Sequence, residues 1–335
     1  MKAALLALIL GALAPYTTPS YEVAVERDVV YATADGYWSR TPQGAPKEVV
    51  KLLSEMQTPE PLQLLADIYT PVGDSSVSRP LLMILHGGAF LLGNKEEPAH
   101  VAWCQYFASL GYVAVSMDYR LGFHLYNKNS YAAAEQAAVE DLEQALAFLL
   151  ARRDLRIDPA RIFLAGTSAG AATALSLAYR PGQEEAPYRI CAVANCWGYV
   201  HSLDILENAQ VPILSFQSQR DPVVPYRRGY PMNLFFVGNC YGTASVAERA
   251  AALGIRTEHY AYPEKEHRLQ VDKQGQLTPH YYEIRDRMAA FFAECMETDL
   301  PAQGVIHGDA VEPSVSREQG TAVDDNDLPV GEGLL

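Results

Sequence analysis

A serine lies between two glycines at residues 166 to 170, in the pentapeptide Gly-Thr-Ser-Ala-Gly. The pentapeptide follows an apolar run at 162 to 165 and precedes a stretch of small residues, 171 to 179, that is typical of a helix. A tight strand-to-helix turn of this kind exposes the serine hydroxyl above the sheet edge, and the glycines keep side chains out of the crowded corner. The spacing therefore predicts that Ser168 is a nucleophile.

A second glycine-rich segment, His-Gly-Gly-Ala-Phe at residues 86 to 90, comes directly after the apolar run at 81 to 85. Flexible backbone at the end of a strand can direct several N–H groups to one point. Such donors stabilise the negative charge that develops on a carbonyl oxygen during acyl transfer, typically by several kcal/mol. The two segments together predict acyl-transfer chemistry at a serine.

With these two motifs the chain resembles the α/β-hydrolase superfamily, and within it the esterases of the hormone-sensitive-lipase-like kind and the related bacterial carbohydrate esterases. The resemblance covers roughly residues 62 to 296 and includes Asp-Ile-Tyr-Thr-Pro at 67 to 71 and Ile-Asp-Pro-Ala-Arg at 157 to 161. It implies an oxyanion hole formed by the N–H groups of Gly88, Ala89 and Ala169. Ala89 replaces the third glycine of the family pattern, and its N–H can still donate provided that its φ stays in a normal region.

The superfamily orders its catalytic residues as serine, acid and histidine, with the last two in loops that follow strands. Asp221 follows the apolar run at 211 to 216, and His267 follows the alternating segment at 258 to 262. By resemblance, His267 is the base that accepts the proton of Ser168, and Asp221 orients His267. This mechanism forms an acyl-enzyme and needs no cofactor. No paired His or Cys spacing predicts a catalytic metal.

Other titratable residues near these loops have simpler interpretations. His259 lies inside a predicted strand and is expected to be structural. Asp204 is expected to cap a short helix. We expect His86 to hold the glycine-rich loop by a hydrogen bond to the backbone, and Glu264 and Glu266 to be solvated.

Alternating strands and helices are expected to position these residues. Strands are predicted at residues 81–85, 112–117, 162–166, 190–195, 211–217 and 257–262, and helices include 132–153 and 280–295. This alternation predicts an α/β fold with a doubly wound, mostly parallel sheet. Because the interval from 197 to 210 is short, we expect no large cap domain and an open cleft.

Composition agrees with a globular chain and excludes some partners. The 335 residues are 49% hydrophobic, which suits one α/β domain, expected at 21–298. A formal net charge of −14 argues against nucleic acid as a partner. Residues 299–335 are rich in acidic side chains and lack aromatic ones, so we expect a disordered tail.

The N-terminus carries Lys2 and then an apolar run, 3 to 14, about the length of a signal-peptide core and too short to span a bilayer. We expect a signal peptide at 1–20, export to the periplasm or the medium, and no stable membrane insertion. The five cysteines cannot all pair within one chain. Export is compatible with one or two disulfides, Cys191 with Cys196 being one candidate, although buried free thiols need no role.

These observations favour a serine esterase acting on small-molecule esters or on acetyl or feruloyl groups linked to polysaccharide. A peptidase of the prolyl-oligopeptidase type shares the triad but usually has a large gating domain, for which the residues before 62 are too few. A non-catalytic binding protein on this fold is expected to lack a triad member. Tyr226 and Tyr230, in an aromatic-rich segment after Asp221, are candidate substrate contacts. The alternative is that this segment is structural and that its apolar run at 234 to 237 packs in the core.

Overall fold

The computed structural model describes residues 16–41, 58–297 and 305–307. Most of the predicted signal peptide and most of the predicted acidic tail lie outside these residues. No helix in the described ranges is long and apolar enough to cross a membrane.

A nine-stranded sheet forms the centre of the described chain. Its strands are β1 Glu22–Gly36, β2 Glu60–Val72, β3 Arg79–Leu85, β4 Val113–Met117, β5 Ile157–Thr167, β6 Ile190–Cys196, β7 Ile213–Ser218, β10 Thr257–Tyr262 and β11 Val305–His307. They lie in the order β1-β2-β4-β3-β5-β6-β7-β10-β11. β1 and β2 are antiparallel to their neighbours, and the others are parallel. A separate two-stranded ribbon pairs β8 Arg228–Gly229 with β9 Cys240–Tyr241.

Helices cover both faces of this sheet. They are α1 Pro98–Ser109, α2 Lys128–Ala151, α3 Ala169–Ala178, α4 Thr243–Ala252 and α5 Pro279–Glu297. Because side chains alternate along an extended strand, β3 contributes Leu81 and Met83 to the core beneath α2, α3 and α4. It contributes Leu82 and Ile84 to the core beneath α1 and α5. The predicted α/β fold with a mostly parallel sheet is confirmed.

Two parts of the sheet differ from the sequence-based expectation. β1 and β2 are long antiparallel strands that the apolar runs did not predict, since the β1 side chains that face solvent are largely polar. β11 pairs in parallel with β10, although it falls in the segment expected to be disordered. These strands extend the sheet at both edges.

The connection between β6 and β7 contains one short 3₁₀ helix, Leu203–Asn208, and no inserted domain. The expectation of no large cap at this position is therefore confirmed. The prediction that Asp204 caps this 3₁₀ helix is wrong. The cap is Ser202, whose Oγ accepts a hydrogen bond from the backbone N–H of Asp204 at 3.1 Å.

All five cysteines are buried and free. Cys191 and Cys196 lie on the same strand, β6, five residues apart. Extended chain separates their Cα atoms by roughly 16 Å, far beyond the distance that a disulfide spans. The candidate disulfide is wrong, and the five thiols act as small apolar side chains.

Candidate active site

Ser168 lies at the turn between β5 and α3, with a backbone φ of 53° and ψ of −118°. This conformation is strained for a residue other than glycine, and surrounding contacts must hold it. A Cβ at Gly166 would lie 2.4 Å from the carbonyl carbon of Gly170, and one at Gly170 would lie 2.3 Å from the Leu85 oxygen. The corner therefore admits no side chain at either glycine, as the sequence predicts.

Ser168, His267 and Asp221 form a hydrogen-bonded series. Nε2 of His267 lies 2.9 Å from Oγ of Ser168, and Nδ1 lies 2.8 Å and 3.0 Å from the two carboxylate oxygens of Asp221. Because an ionised carboxylate only accepts, Nδ1 carries the ring proton, which leaves Nε2 free to accept from the serine. The structure thus brings together the three residues that the sequence predicts.

The Asp221 carboxylate is fully buried, and its oxygens are all engaged. Oδ1 accepts from the backbone N–H groups of Val223 and Val224, at 2.8 Å and 3.1 Å. Oδ2 accepts from Nε2 of Gln217 at 3.1 Å. A buried charge persists when its hydrogen-bonding capacity is met in this way. Gln217 was not predicted, because its only signal is a single amide side chain among the six residues of the buried strand β7.

Two intermediaries, Thr243 and Gln217, link His259 to this series. The Thr243 hydroxyl donates its one proton to Oε1 of Gln217 at 2.8 Å. The same hydroxyl oxygen therefore accepts from Nε2 of His259, at 3.1 Å. His259 is buried in β10 and stacks on Tyr226, with ring centroids 5.5 Å apart. Its position agrees with the expected structural role.

The glycine-rich loop after β3 turns through several left-handed residues. Gly88 has a φ of 118°, and a Cβ there would lie 2.1 Å from the carbonyl oxygen of Leu92. Ala89 and Phe90 follow with φ of 54° and 58°. The condition of a normal φ at Ala89 is therefore not met, because the N–H groups of Leu91 and Leu92 both bond to the Gly88 carbonyl and tighten the turn.

The three predicted oxyanion donors lie at this loop and at the elbow. A Cβ at Gly87 would lie 3.2 Å from the Cβ of Ser168, so the loop touches the elbow directly. Within the described part of the chain, the N–H groups of Gly88, Ala89 and Ala169 donate no hydrogen bond to a protein acceptor. These donors are therefore available to a ligand.

His86 packs beneath the loop, stacked on Tyr119 with ring centroids 4.3 Å apart. Its Nδ1–H donates to the Gly87 carbonyl at 2.7 Å, which confirms the expected hydrogen bond to the backbone. Complete burial lowers the pKa of His86 to about 4, because the apolar surroundings disfavour the charged ring. The neutral ring therefore braces the loop at physiological pH.

A cavity of about 560 Å³ lies beside Ser168. Its walls include apolar side chains from Leu92, Trp197 and Val223 and polar ones from Glu97, Arg268 and Gln270. Trp197 directly follows β6 and stands with its ring 6.4 Å from that of His267. These wall residues are not predictable from local motifs because they come from separate loops.

Tyr226 and Tyr230, predicted as substrate contacts, are not among the residues that line this cavity. Tyr226 stacks on His259, and Tyr230 packs against Phe235 with ring centroids 4.8 Å apart. The segment after Asp221 instead reaches the cavity through Val223. In the apolar run of this segment, Leu234, Phe236 and Val237 pack in the core, as the alternative expects, whereas Tyr230 is 38% exposed.

Glu97, just before α1, spans one wall of the cavity. Its Oε1 accepts from Arg268 at 2.9 Å and from Nε2 of Gln270 at 3.2 Å. Burial favours the neutral acid, but His100 and Arg268 outweigh it and hold the pKa of Glu97 below its ordinary value. The carboxylate thus ties α1 to the loop that carries His267.

The two acidic neighbours of His267 differ in their surroundings. Glu266 is exposed, in agreement with the expected solvated role. Glu264 is partly buried, and its Oε1 lies 3.4 Å from Nε2 of His280. Glu264 therefore departs from the expectation, since its carboxylate has a protein neighbour.

Comparisons with known proteins agree with this geometry. The BD-FAE family model matches residues 66–198, which contain both the glycine-rich loop and Ser168. The non-reducing polyketide synthase Preu3 of Preussia isomera is 34% identical over 122 residues, 35% of this chain and 5% of that protein. The probable carboxylic ester hydrolase LipM of Mycobacterium tuberculosis is 30% identical over 149 residues, 42% of this chain and 32% of that protein. The chain thus spans less than a third of the length of either relative.

The whole fold has counterparts among solved structures. Esterase B of Lactobacillus rhamnosis, solved with a tributyrin phosphonate, has a TM-score of 0.52 and 15% identity, covering 88% of this chain and 94% of that one. The chain has the α/β-hydrolase fold. The predicted resemblance to esterases is confirmed, since one relative in sequence is named a probable carboxylic ester hydrolase and one structural counterpart is named an esterase.

Proposed function

We propose that this α/β-hydrolase is a carboxylic ester hydrolase that acts through Ser168, His267 and Asp221 and forms an acyl-enzyme. The observation that carries the proposal is the pair of hydrogen bonds at His267, 2.9 Å to the Ser168 hydroxyl and 2.8 Å to Asp221. A nucleophile, a base and an orienting acid within hydrogen-bonding distance are what acyl transfer to serine requires.

Acylation begins when Oγ of Ser168 attacks the ester carbonyl carbon while Nε2 of His267 accepts the hydroxyl proton. Asp221 holds the Nδ1–H and stabilises the imidazolium that forms. The N–H groups of the oxyanion hole, Gly88, Ala89 and Ala169, bind the carbonyl oxygen as it becomes negative. His267 then gives its proton to the leaving alkoxide as the bond between carbon and alcohol oxygen breaks.

Deacylation repeats these steps with water. His267, neutral again, takes a proton from a water molecule that attacks the acyl carbon. The tetrahedral intermediate collapses, the bond to Oγ of Ser168 breaks, and His267 returns the proton to the serine oxygen. The products are a carboxylic acid and the free enzyme.

The substrates that we propose are small esters. The cavity volume of about 560 Å³ lies within the range of roughly 300 to 1,000 Å³ that is common for small-molecule sites. Esterase B, which has a similar fold, was solved with a tributyrin phosphonate as inhibitor, and this supports the same class of substrate here. Acetyl or feruloyl esters linked to polysaccharide belong to the same proposal, with the acyl group in the cavity and the polymer outside it.

Substitution of the nucleophile tests the proposal. Ser168→Ala should lower kcat on p-nitrophenyl esters by several orders of magnitude, because no acyl-enzyme can form. A fluorophosphonate should label the parent protein and not the variant. Labelling of the alanine variant at another serine would contradict the assignment.

A substrate panel defines the class. Purified parent protein is assayed on p-nitrophenyl esters of increasing chain length, acetylated xylan, methyl ferulate and a proline-containing peptide anilide. We expect hydrolysis of at least one ester and none of the anilide. Cleavage of the anilide alone would identify a peptidase instead.

A further inference from the structure

Residues 38–41, which we call the strap, follow β1 and lie against the glycine-rich loop. The indole N–H of Trp38 donates to the Leu91 carbonyl at 3.0 Å. The backbone N–H of Thr41 donates to the Gly93 carbonyl at 3.1 Å. Trp38 and Thr41 are 7% and 8% exposed, so both bonds are shielded from water. The N-terminal part of the chain thus holds two carbonyl groups of the loop.

The loop needs such restraint because of its backbone conformation. Ala89 and Phe90 are non-glycine residues with positive φ, which costs roughly 1 to 2 kcal/mol each. A strained segment keeps its geometry only when surrounding contacts determine it. Gly122 provides one such contact, donating its N–H to the Phe90 carbonyl at 2.8 Å. The strap provides the contacts to the next part of the loop.

A buried ionic cluster secures the end of the loop. The ammonium group of Lys95 is fully buried and lies 2.7 Å from Asp67 and 2.9 Å from Asp28. Although burial favours the neutral amine, Asp67 and Asp28 hold the pKa of Lys95 above its ordinary value. The Lys95 backbone N–H donates to Asp118 at 2.6 Å, so main chain and side chain are both fixed.

The strap is joined to this cluster through Arg40. Its guanidinium group lies 2.9 Å from Asp118 and 2.9 Å from Glu96. Trp38 also forms a backbone bridge with Leu121, beyond the end of β4. The strap therefore contacts the loop at Leu91 and Gly93 while it is anchored to the sheet on its other side.

We propose that the strap is a positioning element of the oxyanion hole, which holds the loop peptides so that the N–H groups of Gly88 and Ala89 face the reacting carbonyl oxygen. The proposal rests on the proposed ester hydrolase function. Trp38 does not line the cavity, and its indole bonds to Leu91, so its effect passes through Leu91 and the tight turn centred on Gly88. A donor that is displaced stabilises the transition state less, while binding of the ground-state ester changes little.

The test uses Trp38→Phe, which removes the indole N–H and keeps an aromatic ring in the core. With p-nitrophenyl acetate, kcat should fall roughly tenfold, the effect of one hydrogen bond, while KM stays within about twofold. Affinity for a trifluoromethyl ketone, whose adduct with serine places an oxyanion in the hole, should fall by the same factor as kcat/KM. Thr41→Val removes only the hydroxyl bond to the Gly93 carbonyl at 3.3 Å. It should show a smaller loss, again with ketone affinity and kcat/KM falling by the same factor.

Tyr37→Phe is the matched control, because the Tyr37 hydroxyl contacts His124 and not the loop. It should match the parent in both measurements. Unchanged ketone affinity in a folded Trp38→Phe protein, with or without a loss of kcat, would overturn the proposal. A parent protein that hydrolyses no ester would instead overturn the proposed function, so the two failures are distinguishable.

Discussion

Two histidines lie close to Asp221 along the hydrogen-bonding network, and only one of them touches Ser168. His267→Ala should lower kcat roughly 10³-fold or more, because the serine proton then has no acceptor. His259→Ala should keep most of the activity, because Thr243 and Gln217 lie between His259 and Asp221 in the hydrogen-bonding network. Both variants are measured on p-nitrophenyl acetate. The reverse ranking would show that the base is His259.

His86 makes the stability of the fold depend on pH. Its pKa is lowered to about 4 by burial, whereas an unfolded histidine has an ordinary value of about 6.5. Between these values the unfolded chain binds a proton that the folded chain does not, so stability falls as pH drops from about 6.5 to about 4. At pH 5 this loss amounts to about 2 kcal/mol.

His86→Asn removes that titration while keeping a donor for the Gly87 carbonyl. Its melting temperature should therefore fall less than that of the parent between pH 7.5 and pH 5. His100, whose pKa burial also lowers, is present in both proteins and cancels in the comparison. An identical fall in both proteins would show that His86 does not titrate differently on folding.

At the residue scale, the sequence predicts the groups that belong to local motifs. Ser168 is recognisable from its flanking glycines, and His267 and Asp221 from their place after predicted strands. Gln217 and Glu97 were missed because their contacts, with Asp221 in one case and Arg268 in the other, depend on the packing of separate elements. The motif places Ala89 in the loop, but its positive φ is not predictable from the motif, since the tight turn is set by hydrogen bonds within the folded loop.

The Glu97 carboxylate, just before α1, links that helix to the loop that carries His267. Glu97→Gln removes the charge that holds Arg268, so the loop should lose part of its restraint and kcat should fall roughly threefold to tenfold, with a smaller change in KM. Steady-state kinetics on p-nitrophenyl acetate measure the two parameters. Glu266→Gln removes an equal charge beside His267 without this contact and should behave like the parent. Equal kinetics for the Glu97 variant would show that the loop is held by other contacts.

Among the elements, the buried parallel strands are the most predictable. β3, β5 and β6 are apolar on both faces because helices cover both sides, so their runs stand out in the sequence. β1 is not predictable in this way, because its solvent-facing residues interrupt any apolar run. β11 is a three-residue strand whose pairing with β10 depends on a distant part of the chain, which local patterns do not encode.

The cysteines offer a test at the scale of the whole molecule. All five are buried and free, and burial raises the pKa of Cys240 and of Cys295 to about 12 each. Since the thiolate is the reactive form, the native protein should show almost no fast reaction with a disulfide reagent such as dithionitrobenzoate. In guanidinium chloride five thiols should react. Fewer than five would indicate a disulfide, contrary to the structure.

β1 is an edge strand of the described sheet, and its irregular pairing bears on how molecules meet in solution. An exposed strand with evenly spaced N–H and C=O groups recruits strands from other molecules and starts aggregation. β1 has two register shifts against β2, between Glu26 and Val29 and between Val30 and Ala32, with Asp28 at a φ of 55°. These bulges break the even spacing, and the acidic side chains of the strand must be desolvated before a second strand can pair. The long β1 thus completes the sheet within one molecule and resists extending it into the next.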